Sequence, residues 1–283
     1  MPPRSEISMS DKSSPKRSTI LLTNDDGYRA PGIRALAAAL VDSFNVIIVA
    51  PEEEQSGVSH SFTYRREIRC REILSDGLCK TMVVSGTPVD CVKFALSAVF
   101  STLPVLVVSG MNVGENTGIS GFYSGTVGAA REGAFWGIPS VAFSLSTEGS
   151  AHLDHWCATA SDFLTTWEQS NLTPFKEKGK AVFLNVNFPR VNPAKARGAK
   201  VTRQSMAYFS DRYVPVGSIA GETLYELKGE KRDIEESDDF DSCAINNGWI
   251  TITPLHFDAT ADAVIEMTEE MKSTLCAGKE CMG

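Results

Sequence analysis

TILLTNDDGYRAPGIRALAAALVDSFNVIIVAP, residues 19–51, is the stretch whose reading decides the fold. It opens on a short β-rich apolar run, TILLTN at 19–24, and continues with apolar residues at Ile33, Leu36, Ala37, Leu40 and Val41. That spacing of i, i+3, i+4, i+7 and i+8 places one apolar stripe along a helix. Pro31 and Gly32 stand at the helix start, where a missing N–H costs nothing. NVIIVAP at 45–51 then forms a second strand, apolar on both faces, as in a parallel sheet covered by helices on either side. The stretch is a βαβ unit.

The same alternation runs onward. Strands are expected at 81–84, 106–110, 139–145 and 181–187, and helices at about 88–100, 124–136 and 152–169. Such an order predicts an α/β fold: a three-layer α/β/α, Rossmann-like architecture on a mostly parallel sheet. The catalytic core is assigned to 19–197, behind a polar, Ser-rich extension at 1–18 expected to be disordered. From 198 to 253 the strand-like pieces AKVTRQS, TLYEL and GWITITPL are broken by Gly, Pro and an acidic run. This is read as a β-rich arm, followed at 254–283 by a C-terminal helix over about 258–275 and a tail. The run from Glu230 to Asp241 carries seven acids and two bases, and is expected to be a solvated loop.

Composition limits the function classes. With 283 residues and 42% hydrophobic content, the chain can bury a large core. Its 27 basic and 35 acidic residues leave a formal charge of -8, the wrong sign for wrapping a nucleic-acid polymer. Seven cysteines lie far apart without a C-x-x-C pair, which fits a reducing, cytoplasmic compartment better than a disulfide framework or a zinc ribbon. No apolar run approaches the ~20 residues that cross a bilayer, and no secretory h-region is seen, so no membrane partner is expected.

Ligands of open parallel sheets bind beyond the carboxyl ends of the strands. There the chain places N24-D25-D26-G27, P51-E-E-E-Q-S56-G57 and S109-G110-M-N112-V-G114-E-N116. Asp25 and Asp26 repel each other in a dry crevice unless a cation or a proton compensates them. A divalent ion does so most simply, with Ser56 Oγ and the Asn112 amide oxygen completing an all-oxygen set that favours Mg²⁺ or Mn²⁺ over zinc. NDDG would also serve as a plain turn, but a parallel strand feeding a helix needs no tight hairpin. Further on, a glycine-rich segment runs into a helix at Ser124-Gly125-Thr126, where free N–H groups and the helix dipole attract an anion. Walker, dinucleotide and G-x-S-x-G motifs are absent. His60 is a candidate proton donor to a leaving group, His152 and His155 an ordinary helical pair, and Arg131 with Glu132 a surface or interface pair.

Five blocks then stand in order: NDDG-x2-APGI at 24–33, VAP-x4-SG-x-S-x-S from Val49, SGTP-x-DC at 85–91, SG-x-N-x-G-x-N at 109–116 and YSGTV-x-AAREG at 123–133. Together they resemble the SurE family of survival-protein nucleotidases. The resemblance implies a metal-dependent phosphomonoesterase acting on nucleoside 5′- and 3′-monophosphates. It implies one divalent cation per subunit on Asp25, Asp26, Ser56 and Asn112, with Asp25, Asp26 and Asn112 carrying catalysis. Phosphate contacts are implied at Asn116, Ser124, Gly125 and Thr126, as is a homodimer or homotetramer built by an exchanged C-terminal arm. The rival from another class is a nucleotide-binding regulator without turnover, for which the same glycine loops would serve.

Overall fold

The computed structural model describes residues 17–73, 77–170, 175–177, 180–261 and 265; of 175–177 and 180–181 it describes the backbone. Among the described residues the elements follow in chain order: β1 Thr19–Thr23, α1 Pro31–Leu40, β2 Asn45–Pro51, β3 Cys70–Ile73, β4 Lys80–Val84, α2 Pro88–Phe94, β5 Leu106–Val113, α3 Ser120–Tyr123, α4 Gly125–Phe135, β6 Ser140–Leu145, α5 Leu153–Gln169, β7 Phe175–Glu177, β8 Lys180–Phe188, β9 Ala199–Val201, β10 Tyr208–Phe209, β11 Arg212–Ile219, β12 Glu222–Lys228, β13 Lys231–Arg232, α6 Asp241–Asn246 and β14 Ile250–His256. The main sheet has the order β3-β4-β2-β1-β5-β6-β8-β14-β9, with β7 also paired to β8. From β4 to β8 every pairing is parallel; β3 and β14 add antiparallel neighbours.

Alternation along the strands separates two apolar layers. Ile20 and Leu22 face the side covered by α1 and α5, with Ile33, Leu36, Phe143, Trp156 and Phe188. Leu21, Val49 and Val107 face the other, with Val92 and Ala129 from α2 and α4. Both faces being covered explains why β1 and β2 read as continuous apolar runs. Trp156 stacks on Phe188 at 5.2 Å between ring centroids, and Phe188 on Phe143 at 5.9 Å.

Helix starts follow local chemistry. Pro31 opens α1 without a side-chain cap, and Thr87 opens α2 with a capping box completed by Asp90. Ser124 opens α4, its hydroxyl accepting from the Val127 N–H at 3.2 Å. The helix expected at 88–100 widens after Phe94 into a π-helical turn at Ala95–Val99.

Within 198–253, β9 and β14 join the main sheet, whereas β10 pairs with β13 and β11 with β12 outside it. The acidic run is exposed over most of its length, as expected of a solvated loop, but is fastened at several points and buried at its end. Asp241 is fully buried, Asp238 accepts from Trp249 Nε1 at 3.0 Å, and Glu235 accepts from the Met206 N–H at 2.9 Å. These acids close the chain between β13 and β14 onto the core, satisfying backbone donors that would otherwise be orphaned. The extension at 1–18 and the helix expected at 258–275 lie almost wholly outside the described residues.

Candidate active site

From β1 the sheet grows one way through β2 and β4 and the other way through β5 and β6. The strand order therefore reverses between β1 and β5, and the crevice beyond their carboxyl ends is where such sheets take ligands. β1 runs directly into Asn24, Asp25 and Asp26, while Asn112 is the penultimate residue of β5, after a register shift against β6 between Ser109 and Asn112. The loop after β2 closes the third side: its Gln55 N–H donates to the Asp25 carbonyl at 2.7 Å.

Asp25 is 5% exposed. Its carboxylate accepts from the Thr126 N–H at 3.0 Å and also from the Thr126 hydroxyl, so the N-terminal end of α4 points at it. Only glycine permits this approach at position 125, because a Cβ there would stand 2.9 Å from Asp25 Cβ. Burial pushes the Asp25 carboxyl above its ordinary range in spite of these donors. Asp26 is half-buried and is pushed up to about 7, first by burial and then by the charges of Asp25 and Glu54, with the Val113 N–H opposing the shift. No basic side chain stands among the causes of either shift. Two carboxylates whose ionised forms are costly, with no cationic partner contributing, are a pair that a cation stabilises.

Ser56 lies in the loop after β2, and Asn112 lies within β5, one residue before its end. Ser56 is exposed and its hydroxyl donates to Glu54 Oε1 at 2.6 Å. Asn112 turns its Nδ2 back to the Gly114 carbonyl at 2.5 Å, which leaves its amide oxygen as the atom suited to a cation. Among the described residues no group of three or more His, Cys, Asp or Glu side chains is arranged to hold a metal ion. The residues thus fit a cation only as two carboxylates supplemented by neutral oxygens, a hard-ligand set.

The other predicted residues are distributed differently. Ser124 Oγ caps α4, and Gly125 and Thr126 supply the donors that face Asp25. Asn116 is buried and tied into the ends of β6 and β8: its Nδ2 donates to Ser144 Oγ at 2.8 Å, its N–H to Asn187 Oδ1 at 2.7 Å, and its carbonyl accepts from Asn185 Nδ2 at 2.7 Å. His60 turns away from the crevice to Glu132, 2.8 Å from Nε2 to Oε2. Glu132 itself is 3% exposed, so it is no surface or interface group: one helical turn from the surface aromatic Trp136, it is enclosed by three donors. His152 ends a 3₁₀ turn and His155 packs its ring edge-on against Trp156 at 5.5 Å.

Glu54, Lys231 and Asp241 belong to the surroundings of the site and were not singled out from sequence. Glu54 sat in a run of three identical acids, where nothing in the sequence separates it from Glu52 and Glu53. Lys231 reaches from β13 to Glu115, and Asp241 accepts from the Gly118 N–H at 3.1 Å and the Ser205 N–H at 2.9 Å. Both hold the Asn112–Gly118 loop from more than a hundred residues away.

Residues 20–211 match the family described as Survival protein SurE. A relative from Moorella thermoacetica named 5′-nucleotidase SurE is 38% identical over 242 residues, covering 85% of this chain and 91% of its own. One of the same name from Chlorobium luteolum is 36% identical over 261 residues, covering 92% and 98%. Among solved structures, that of the Sure protein from Aquifex aeolicus superposes with a TM-score of 0.75 at 34% identity, covering 90% of this chain and 99% of that one.

Proposed function

Because the chain belongs to the SurE family, we propose that it is a divalent-metal-dependent phosphomonoesterase that hydrolyses nucleoside 5′- and 3′-monophosphates to nucleoside and phosphate. The observation that carries this reading is the pair Asp25 and Asp26, both raised by burial at the switch point, with Asp25 held against the N-terminus of α4.

Asp25, Asp26, Ser56 and Asn112 would hold one Mg²⁺ or Mn²⁺ ion per subunit, which would supply Lewis acidity toward a phosphoryl oxygen and toward water. The chain's own residues do the rest. Ser124, Gly125 and Thr126 present the helix N-terminus to the remaining phosphoryl oxygens, with Asn116 holding the adjoining loop. Gly125 and Thr126 already donate to Asp25. Phosphate and an uncompensated Asp25 charge would repel each other across those donors, so neutralising the carboxylates is what lets the anion in. The chain's net charge has the wrong sign for a polymeric nucleic acid, which leaves small phosphate esters as the substrates.

The β11–β12 hairpin supports the assembly reading. Tyr213, Val216, Ile219, Tyr225 and Leu227 on it are each at least half exposed, an apolar load on two strands that do not join the main sheet. An arm exchanged with a second copy, giving a dimer or tetramer, buries it. Among the described residues no helix is long and apolar enough to cross a membrane, and all five described cysteines are free; the cytoplasm suits both.

Phosphate release from AMP and 3′-AMP with Mg²⁺, Mn²⁺ or chelator tests the reading. Release that needs the ion and is lost in Asp25→Asn and Asn112→Ala is expected. Binding of AMP without release would instead make the protein a nucleotide-binding regulator.

A further inference from the structure

The connection between β2 and β3 is the longest irregular segment beside the site, and it carries Ser56. Residues 59–63 of it are fastened on two sides. Toward α2, the Thr63 N–H and hydroxyl donate to the two oxygens of Asp90 at 2.8 and 2.7 Å, and the Thr87 hydroxyl donates to the Ser61 carbonyl at 2.7 Å. On the other side, the Ser59 N–H donates to the Tyr123 carbonyl at 2.8 Å and its hydroxyl to the Phe122 carbonyl at 2.6 Å, both at the end of α3, just before α4. Ser59 adopts a φ of 58°, a left-handed conformation that a non-glycine residue keeps only when its surroundings hold it. Its carbonyl lies so close to Gly128 that any Cβ there would collide with it.

The last fastening is His60 to Glu132. Glu132 lies on the helix whose N-terminus faces Asp25, and its side chain is only 4% exposed. One oxygen meets His60 Nε2 at 2.8 Å; the other meets Lys93 Nζ at 2.8 Å and accepts from Trp136 Nε1 at 2.9 Å. Burial alone would raise this carboxyl, but the His60, Lys93 and Trp136 donors outweigh burial and hold it below the ordinary range. A buried, fully partnered carboxylate is a rigid anchor. The imidazole bonded to it is 30% exposed, so His60 is a surface residue with one buried attachment.

The geometry points to His60 and Glu132 as a positioning pair that clamps the Ser56 loop to α4, so that the loop oxygen and the helix N-terminus face the same point in the crevice. Neither touches the reacting atoms. The pair rests on the active-site reading above for its consequence, but not for its existence.

His60→Ala and His60→Gln separate the possibilities, since Gln keeps a donor and the half-exposed site tolerates both. Amide hydrogen exchange in chelator is read first, then the Mn²⁺ half-saturation by titration calorimetry, then AMP hydrolysis at saturating Mn²⁺. His60→Ala should lose protection over 55–63 alone and raise the Mn²⁺ half-saturation about ten- to a hundredfold, the range for groups that orient metal ligands. His60→Gln should recover most of both. The pair is overturned if exchange over 55–63 is unchanged in His60→Ala, if exchange rises but Mn²⁺ half-saturation stays at the wild-type value, or if Gln restores nothing. A wild-type chain that neither binds Mn²⁺ nor releases phosphate would refute the hydrolase reading instead, with the exchange result still deciding whether the clamp exists.

Discussion

Asp26→Asn should stabilise the metal-free protein while abolishing its response to metal. Asp26 is pushed from 3.8 up to about 7 by burial and by the neighbouring charges of Asp25 and Glu54. At about 1.36 kcal/mol per unit, the ionised form is disfavoured by roughly 4 kcal/mol. Solvent reaches the half-buried group, so about half of that, ~2 kcal/mol, is the working figure. The folded carboxyl binds its proton more tightly than the unfolded one, so the metal-free protein loses stability as pH rises from about 4 to about 7, and the cost is constant above that. An amide in place of the carboxyl removes the cost. At about 2–4 °C per kcal/mol for chains of this size, Asp26→Asn should melt about 4–8 °C above wild type at pH 8 in chelator. The difference should shrink through pH 7 and vanish near pH 4. Thermal melts followed by circular dichroism across that range measure it. With Mn²⁺ at a hundred times its dissociation constant, wild type should gain about 2.7 kcal/mol, and Asp26→Asn far less. A variant that melts at or below wild type at pH 8 in chelator would refute the claim that Asp26 carries an uncompensated charge.

Other substitutions probe what holds the crevice. Thr126→Val removes the hydroxyl that donates to buried Asp25 and should cost about 2 kcal/mol in denaturant unfolding at neutral pH, with Thr126→Ser recovering most of it. Asp241→Ala leaves the N–H groups of Gly118, Ser205 and Ser242 without their shared acceptor; a loss of about 3–5 kcal/mol is expected by the same measurement, with phosphate release falling as the Asn112–Gly118 loop loosens. Trp156→Ala opens a cavity under α5 where Trp156 stacks on Phe188, and should lower stability by about 3–5 kcal/mol without changing the Mn²⁺ half-saturation. Shortening the β11–β12 hairpin should lower the particle mass in multi-angle light scattering to that of one chain; an unchanged mass would place the subunit contact elsewhere.

The α/β class, the parallel sheet and the strand ends at Asp25, Ser56 and Asn112 were legible in the sequence because each depends on local periodicity and on one topological rule. Apolar residues spaced for a helix between two apolar runs admit few packings, and parallel strands carry their ligands at one edge. The burial of Glu132 was not legible, because an acid beside an arginine on a helix looks the same whether it faces water or His60, 72 residues earlier. Nor was the role of the acidic run, since Asp241 becomes an anchor only when the fold brings Gly118, 123 residues away, to its oxygens. Asn116 shows the same division: its place at the end of β5 followed from sequence, while its commitment to Ser144 and Asn187 is a matter of neighbouring strands. The sequence by itself determined which residues stand at the mouth of the sheet. Tertiary structure alone decided which side chains are spent on holding that mouth in shape, because the partner of a buried polar group is chosen by distance in space.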